Sequence, residues 1–144
     1  MSRDYWGFKN IKDLKKETQD MPDSILKEQV SLLGEKTDFI LYGKCDFVKI
    51  KTDEIPYKVA TIFNILVPSI DNYEKTILIM YSNPEEEYPV SITVDSTLED
   101  DYMFFSPKYE CHDTDSFVEA ISEILNSDKL LHLVSVLYAK ASMN

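Results

Sequence analysis

The fold is decided by residues 57–82, which read YKVATIFNILVPSIDNYEKTILIMYS. Two runs rich in β-branched residues, 57–67 and 75–82, flank the turn-forming segment 68–74. Such runs are typical of strands, and a connection of this length favours antiparallel neighbours over a parallel crossover. The middle of the first run is apolar on both faces, which predicts a central strand covered on part of both sides. The stretch therefore predicts the centre of an antiparallel sheet.

Three further segments have the period of two that is typical of strands. Segment 39–51, FILYGKCDFVKIK, predicts a long strand in which Gly43 marks a bulge or a close backbone contact. Segment 90–95, VSITVD, alternates cleanly and predicts a strand with one solvent-exposed face. Segment 102–110, YMFFSPKYE, predicts a weaker fifth strand that Pro107 shortens or moves to a sheet edge.

Helical spacing of apolar residues precedes and follows the predicted sheet. An N-terminal helix is predicted over Ser24–Lys36, with Pro22 favourable for its first turn. Gln29 falls inside the apolar arc of this helix, where we expect it at the rim of the core, hydrogen-bonded to backbone. Two C-terminal helices are predicted over 115–126 and 129–141.

The predicted fold class is therefore α+β, with an N-terminal helix, a central antiparallel sheet of four to five strands, and two C-terminal helices packed on one face. The chain has 144 residues and 44% hydrophobic residues, which is typical of a globular protein with a real core. We expect one domain over residues 1–144.

The acidic residues are distributed unevenly along the chain. Segment 83–123 holds twelve carboxylates and one basic residue, Lys108, and so carries the whole net charge of −11. Nucleic-acid binding without sequence preference needs a basic surface, so no nucleic-acid partner is expected. An acidic surface in this segment instead favours a basic protein partner.

Motifs of several functional classes are missing from the sequence. The three glycines are isolated, so there is no phosphate-binding loop, and no histidine pair has zinc-ligand spacing. We therefore expect no cofactor. The N-terminus lacks the apolar region of a secretory signal, and no apolar run is long enough for a membrane helix. Cys45 and Cys111 are accordingly predicted to be unpaired thiols in a cytoplasmic protein without a membrane partner.

Residues 110–115, ECHDTD, combine a thiol, an imidazole and three carboxylates. Cys111 and His112 are adjacent, so in an extended segment their side chains point to opposite sides and do not form a nucleophile–base pair. The favoured interpretation is a buried Cys111 followed by a helix N-terminus. The candidate capping residues are Asp113, Thr114 and Asp115.

Two more capping interactions are predicted in the C-terminal region. Ser116 and Glu119 have the spacing of a capping box for the first C-terminal helix. Ser127 or Asp128 is predicted to cap the second.

The predicted strand directions return residues 110–115 to the sheet end that holds residues 85–87, while residues 99–101 lie at the far end. We expect a binding surface at the shared end that contains Glu85, Glu86, Glu87, Glu110 and Asp113. The first functional hypothesis is a small acidic cytoplasmic module that binds a basic protein. Toxin-neutralising immunity proteins, secretion chaperones and phage inhibitors of host nucleases share this size and charge, which is an analogy only.

The alternative hypothesis is a metal-assisted hydrolase. Six carboxylates at this end could hold a hard cation such as Ca²⁺ or Mg²⁺, with His112 as the base. The segment lacks the alternating spacing of a dedicated calcium loop, which disfavours this alternative.

An aromatic N-terminal segment, DYWGF at 4–8, has two interpretations. Tyr5, Trp6 and Phe8 could anchor a partner, because Trp and Tyr are enriched at interface hot spots. We expect instead that the segment folds onto the core of its own domain.

Overall fold

The computed structural model describes residues 3–94 and 107–143. Five strands form one antiparallel sheet in chain order: β1 (Tyr42–Lys49), β2 (Val59–Val67), β3 (Tyr73–Ser82), β4 (Val90–Val94) and β5 (Tyr109–Cys111). The α-helices of the described residues are α1 (Ile11–Thr18), α2 (Pro22–Lys36), α3 (Thr114–Leu125) and α4 (Asp128–Ala141), and a short 3-10 helix covers Pro68–Ile70. This is the α+β architecture predicted from the sequence.

The main core lies between one face of the sheet and helices α2, α3 and α4. Alternating strand residues face these helices because successive side chains of a strand point to opposite sides. The fully buried side chains of this core include Leu26, Ile65, Leu78, Met80, Ile92, Cys111 and Phe117. Helix α1 contributes no buried residue. The prediction that helices pack on one face of the sheet is confirmed.

A smaller apolar cluster covers part of the other face, which we call the outer face. It consists of Ile55, Tyr57, Ala60, Ile79 and Tyr81. The Tyr57 hydroxyl lies 2.8 Å from the Ser91 hydroxyl, so the polar end of this buried ring is hydrogen-bonded. Strand β2 is therefore covered on part of both sides, as its apolar pattern predicts.

Helix α2 crosses β1 at Gly43 with its backbone in direct contact. A Cβ atom placed on Gly43 would overlap the Val30 carbonyl oxygen and lie 2.9 Å from the carbonyl carbon. The register between β1 and β2 is unbroken at this point, so Gly43 marks a close contact and not a bulge. The close contact is one of the two interpretations that the sequence left open.

The strand predicted over 39–51 is shorter than expected. Asp38 and Phe39 have φ angles of 53° and 61°, in the left-handed region that strands do not use. The chain therefore makes a turn after α2, and β1 begins at Tyr42. Other ends differ by one or two residues; α2 begins at Pro22 rather than Ser24.

The aromatic N-terminal segment does not pack on the core, and the expectation that it does is wrong. Tyr5 and Trp6 are 84% and 77% exposed. The Trp6 ring makes a local contact, packing edge-to-face on Phe8 with centroids 5.7 Å apart. Helices α2 to α4 supply the apolar cover of the sheet instead.

The predicted fifth strand lies only partly within the described residues. Its described portion forms β5, a three-residue edge strand that begins at Tyr109 and ends one residue beyond the prediction. The Lys108 N–H donates to the Ile92 carbonyl at 3.0 Å, which continues the contact with β4. In the described ranges, no helix is long and apolar enough to cross a membrane.

Candidate functional site

The segment ECHDTD forms the end of β5 and the N-terminal cap of α3. Asp113 is the N-cap residue, and its Oδ1 accepts a hydrogen bond from the Ser116 N–H at 2.8 Å. The Ser116 hydroxyl in turn accepts from the Asp113 N–H at 3.3 Å, which completes a capping box. Capping by Asp113 is confirmed, whereas the predicted box of Ser116 with Glu119 is wrong because Ser116 occupies the third helical position. Ser127 caps α4, as predicted.

The Cys111 thiol is unsuited to nucleophilic chemistry. It is completely buried, and burial, reinforced by the negative charge of Asp113, raises its pKa. The Sγ atom lies 3.8 Å from the Ser116 carbonyl oxygen, to which it donates a weak hydrogen bond. Burial likewise raises the pKa of Cys45, and both cysteines are free thiols. Raised pKa values disfavour the thiolate, which is the reactive form.

The cap at Asp113 makes stability depend on pH in the acid range. Hydrogen bonds from the Ser116 N–H, the larger cause, and from the Ser116 hydroxyl lower the pKa of Asp113 below its ordinary 3.8. A lowered folded-state pKa means that this stabilisation is present above the ordinary pKa and is lost as pH falls through the folded-state value. Thermal melts from neutral pH to about pH 2 should show this loss below about pH 4.

Two substitutions at Asp113 separate its charge from its capping oxygen. Asp113→Asn keeps a good N-cap, so we expect a neutral-pH melting temperature near that of the wild type with a flatter acid limb. Asp113→Ala removes the acceptor and should lower the melting temperature at neutral pH. If the melting temperature of Asp113→Asn falls as steeply with decreasing pH as that of the wild type, the pH dependence arises from other carboxylates.

Two acidic segments lie at one end of the sheet. Strand β4 begins at Val90, which pairs with Cys111 near the end of β5. The Tyr88 hydroxyl donates to the Thr114 hydroxyl at 3.1 Å and so connects the two segments directly. We give the name acidic rim to five of the exposed carboxylates at this end: Glu85, Glu86, Glu87, Glu110 and Asp113.

The negative charge of the acidic rim contributes to a raised pKa at Tyr88. Burial is the main cause that raises the Tyr88 pKa, and the charges of Glu87 and Asp113 raise it further. Glu110 pairs with Ser91 across the strands and therefore lies on the outer face, away from Glu87 and Asp113. None of the five rim carboxylates forms an ion pair with a lysine or arginine of the described residues.

The spacing of possible metal ligands was compared across the described residues. Among residues 3–94 and 107–143, no three His, Cys, Asp or Glu side chains lie close enough together to hold a metal ion. The His112 side chain is exposed at the helix start, and the backbone N–H of His112 donates to the Ser116 hydroxyl at 3.2 Å. Residues 99–101, which were expected at the far end of the sheet, lie outside the described residues.

A polar cluster on the outer face was missed in the sequence. Asn64, which is buried, donates to Asp46 at 3.3 Å and to Glu74 at 3.2 Å. Its amide oxygen accepts from the Thr76 hydroxyl at 2.6 Å, and Lys44 donates to both oxygens of Glu74 at 3.2 Å. The one sign of this cluster in the sequence was a single polar residue, Asn64, within the apolar run of β2. The cluster satisfies its own polar groups, which is typical of a structural role.

A cleft of about 390 Å³ lies between α2, α4 and the sheet. Gln29 and Leu33 of α2, Phe63 of β2, and Leu130 and Val134 of α4 are among the residues that line it. Gln29 is thus at the rim of the core as expected, but its side chain makes no hydrogen bond to the described backbone, so that part of the prediction is wrong.

Comparison of the chain with models of protein families, with curated proteins and with solved structures gave no match in any of the three.

Proposed function

We propose that this protein is a small acidic binding module that recognises a basic protein through the acidic rim. The observation that supports the proposal is the register of β4 and β5, which brings two exposed acidic segments to one end of the sheet. The absence of ion pairs between these carboxylates and the described lysines and arginines leaves their charge available to a partner. Such a module would act as an immunity protein, a chaperone or an inhibitor does, by occupying a basic surface.

Charge at this rim would act mainly on the rate of association. Complementary potentials steer two proteins together and raise the association rate by about 10- to 1,000-fold, an effect that falls with ionic strength. Glu110 lies in β5 and Asp113 caps α3, whereas Glu85, Glu86 and Glu87 lie in the loop between β3 and β4. Free thiols at Cys45 and Cys111 agree with the reducing cytoplasm that we propose as the compartment.

The hydrolase alternative has weaker support. It requires His112 as a base beside a bound cation, but the carboxylates within the described residues do not gather into a ligand set. The neighbouring thiol is buried and its pKa is raised. The geometry at this position serves to cap α3.

Charge reversal of the rim tests the proposal. The wild-type protein is used to capture partners from a lysate of its source organism at low salt, and the bound protein is identified and purified. We expect a basic partner. For the variant Glu85→Lys, Glu86→Lys, Glu87→Lys, the association rate with that partner should fall at least about tenfold and its salt dependence should weaken.

A matched control separates the effect of the rim residues from the effect of the net charge. The variant Glu17→Lys, Glu28→Lys, Glu35→Lys changes the same net charge at exposed positions of α1 and α2. It should associate at nearly the wild-type rate. If the rim variant binds as fast as the wild type while both variants stay folded, the acidic rim is not the binding surface and the proposal is wrong.

A further inference from the structure

Strand β1 is a long sheet edge. It has eight residues and, within the described ranges, pairs with β2 alone. The opposite edge strand, β5, has three. An edge strand presents unpaired N–H and C=O groups to a further strand, and natural edges are commonly short or blocked for that reason. Because β1 is long, it leaves many more unpaired backbone groups at the sheet edge than β5 does. These groups are available to a further strand.

Apolar side chains are exposed along this edge. Phe47 is 69% exposed, Val48 48% and Tyr42 37%. Strand alternation places Phe47 on the helix-covered face together with Gly43 and Cys45, and it places Val48 on the outer face. The ring of Tyr42, at the start of the strand, packs on Phe39 with centroids 6.1 Å apart and lies beside Gly34 of α2. Both faces of the edge therefore carry apolar surface that an added strand would cover.

We propose that β1 pairs in antiparallel fashion with β1 of a second copy of this chain, in a register centred on Cys45. The two sheets then form one continuous sheet, and the helices of both copies cover the same face. This is addition of a strand to an open edge, in which backbone hydrogen bonds provide affinity and side chains select the register.

Symmetry restricts the registers that two identical edges can adopt. The two-fold axis that relates β1 of one copy to β1 of the other stands perpendicular to the sheet. At this axis one residue of β1 faces the same residue of the second copy. With Lys44 or Asp46 at this position, two like charges would be directly opposite, which is destabilising. With Gly43 or Phe47 there, Lys44 and Asp46 would face uncharged residues.

Only the register centred on Cys45 matches these charges. Lys44 of each copy then faces Asp46 of the other, which gives two opposite-charge pairs on the outer face. Within one chain, Lys44 already lies 3.8 Å from Asp46 and 3.2 Å from Glu74. In the dimer each directly opposed pair of charged residues has opposite signs.

The remaining pairs of this register bring apolar groups together. Val48 faces Tyr42, whose ring also packs on Phe39 of its own chain. Phe47 faces Gly43, where the backbone of α2 at Val30 fills the space above the glycine, so the exposed ring of one copy would lie beside α2 of the other. The register is therefore selected by the charges of Lys44 and Asp46.

Sedimentation equilibrium of the full chain tests the dimer. We expect a reversible dimer for the wild type. Lys44→Asp or Asp46→Lys alone places like charges opposite and should weaken dimerisation at least about tenfold, whereas the double variant Lys44→Asp, Asp46→Lys should restore it. Glu110→Lys reverses a charge on the opposite edge strand and should leave the dimer intact.

Cross-linking at Cys45 tests the register. Mild oxidation should join two copies through Cys45, since directly opposed residues of paired strands lie within the Cα distance of a disulfide. Cys45→Ser should abolish the covalent dimer, whereas Cys111→Ser should not, because Cys111 is buried. A wild type that remains monomeric at about 100 μM protein, a concentration at which a micromolar Kd would give mostly dimer, would overturn the proposal. A dimer unchanged by Lys44→Asp, or one without a Cys45 cross-link, would do the same.

Discussion

Gly43→Ala is expected to lower the free energy of unfolding by about 3 kcal/mol. The added methyl group would overlap the Val30 carbonyl oxygen, which belongs to the backbone of α2 and cannot rotate away as a side chain does. The helix would have to move off β1, and the core side chains Leu26 and Val30 would move with it. Urea unfolding followed by circular dichroism measures this loss as a lower midpoint.

The other two glycines are matched controls for this substitution. A Cβ on Gly7 meets no atom within 4 Å, so Gly7→Ala should leave stability unchanged. A Cβ on Gly34, inside α2, meets the Phe39 ring at 3.4 Å, an ordinary contact, and alanine favours the helix by up to about 1 kcal/mol. If Gly43→Ala unfolds at the same urea concentration as Gly7→Ala, the close approach of α2 to β1 is not a feature of the folded protein.

Phe117→Ala is expected to lower the free energy of unfolding by about 3–5 kcal/mol. Phe117 is completely buried in the first turn of α3 and packs in the main core beneath the sheet. Its loss removes apolar contacts and leaves a cavity, because the sheet and α2 cannot close the space around a missing ring. Thermal or urea unfolding at one low protein concentration measures the effect.

Trp6→Ala provides the contrast for Phe117→Ala. It removes a larger aromatic ring that is 77% exposed, and we expect a change in the free energy of unfolding of less than about 0.5 kcal/mol. Phe117→Leu should cost less than Phe117→Ala because it retains most of the volume. Equal losses for Phe117→Ala and Trp6→Ala would contradict the assignment of α3 to the core.

The local patterns of the sequence were sufficient to predict the architecture. Helical and strand spacing of apolar residues depends on neighbours a few positions away, so the order of α2, the five strands, α3 and α4 could be predicted without knowledge of the packing. The caps at Asp113 and Ser127 are local for the same reason. The shared sheet end of the acidic rim could also be predicted, since strand direction follows from short connections.

Other features depend on residues that are distant in sequence. The direction of Glu110 requires its pairing with Ser91, and the polar cluster around Asn64 requires side chains from three strands. The exposure of Tyr5 and Trp6 depends on which helices cover the sheet, which their own sequence does not specify. Gly43 shows the division within one residue. The sequence alone determined that a glycine within a strand marks either a bulge or a close contact, and only the packing of α2 decided for the contact, because the overlapping atom belongs to Val30.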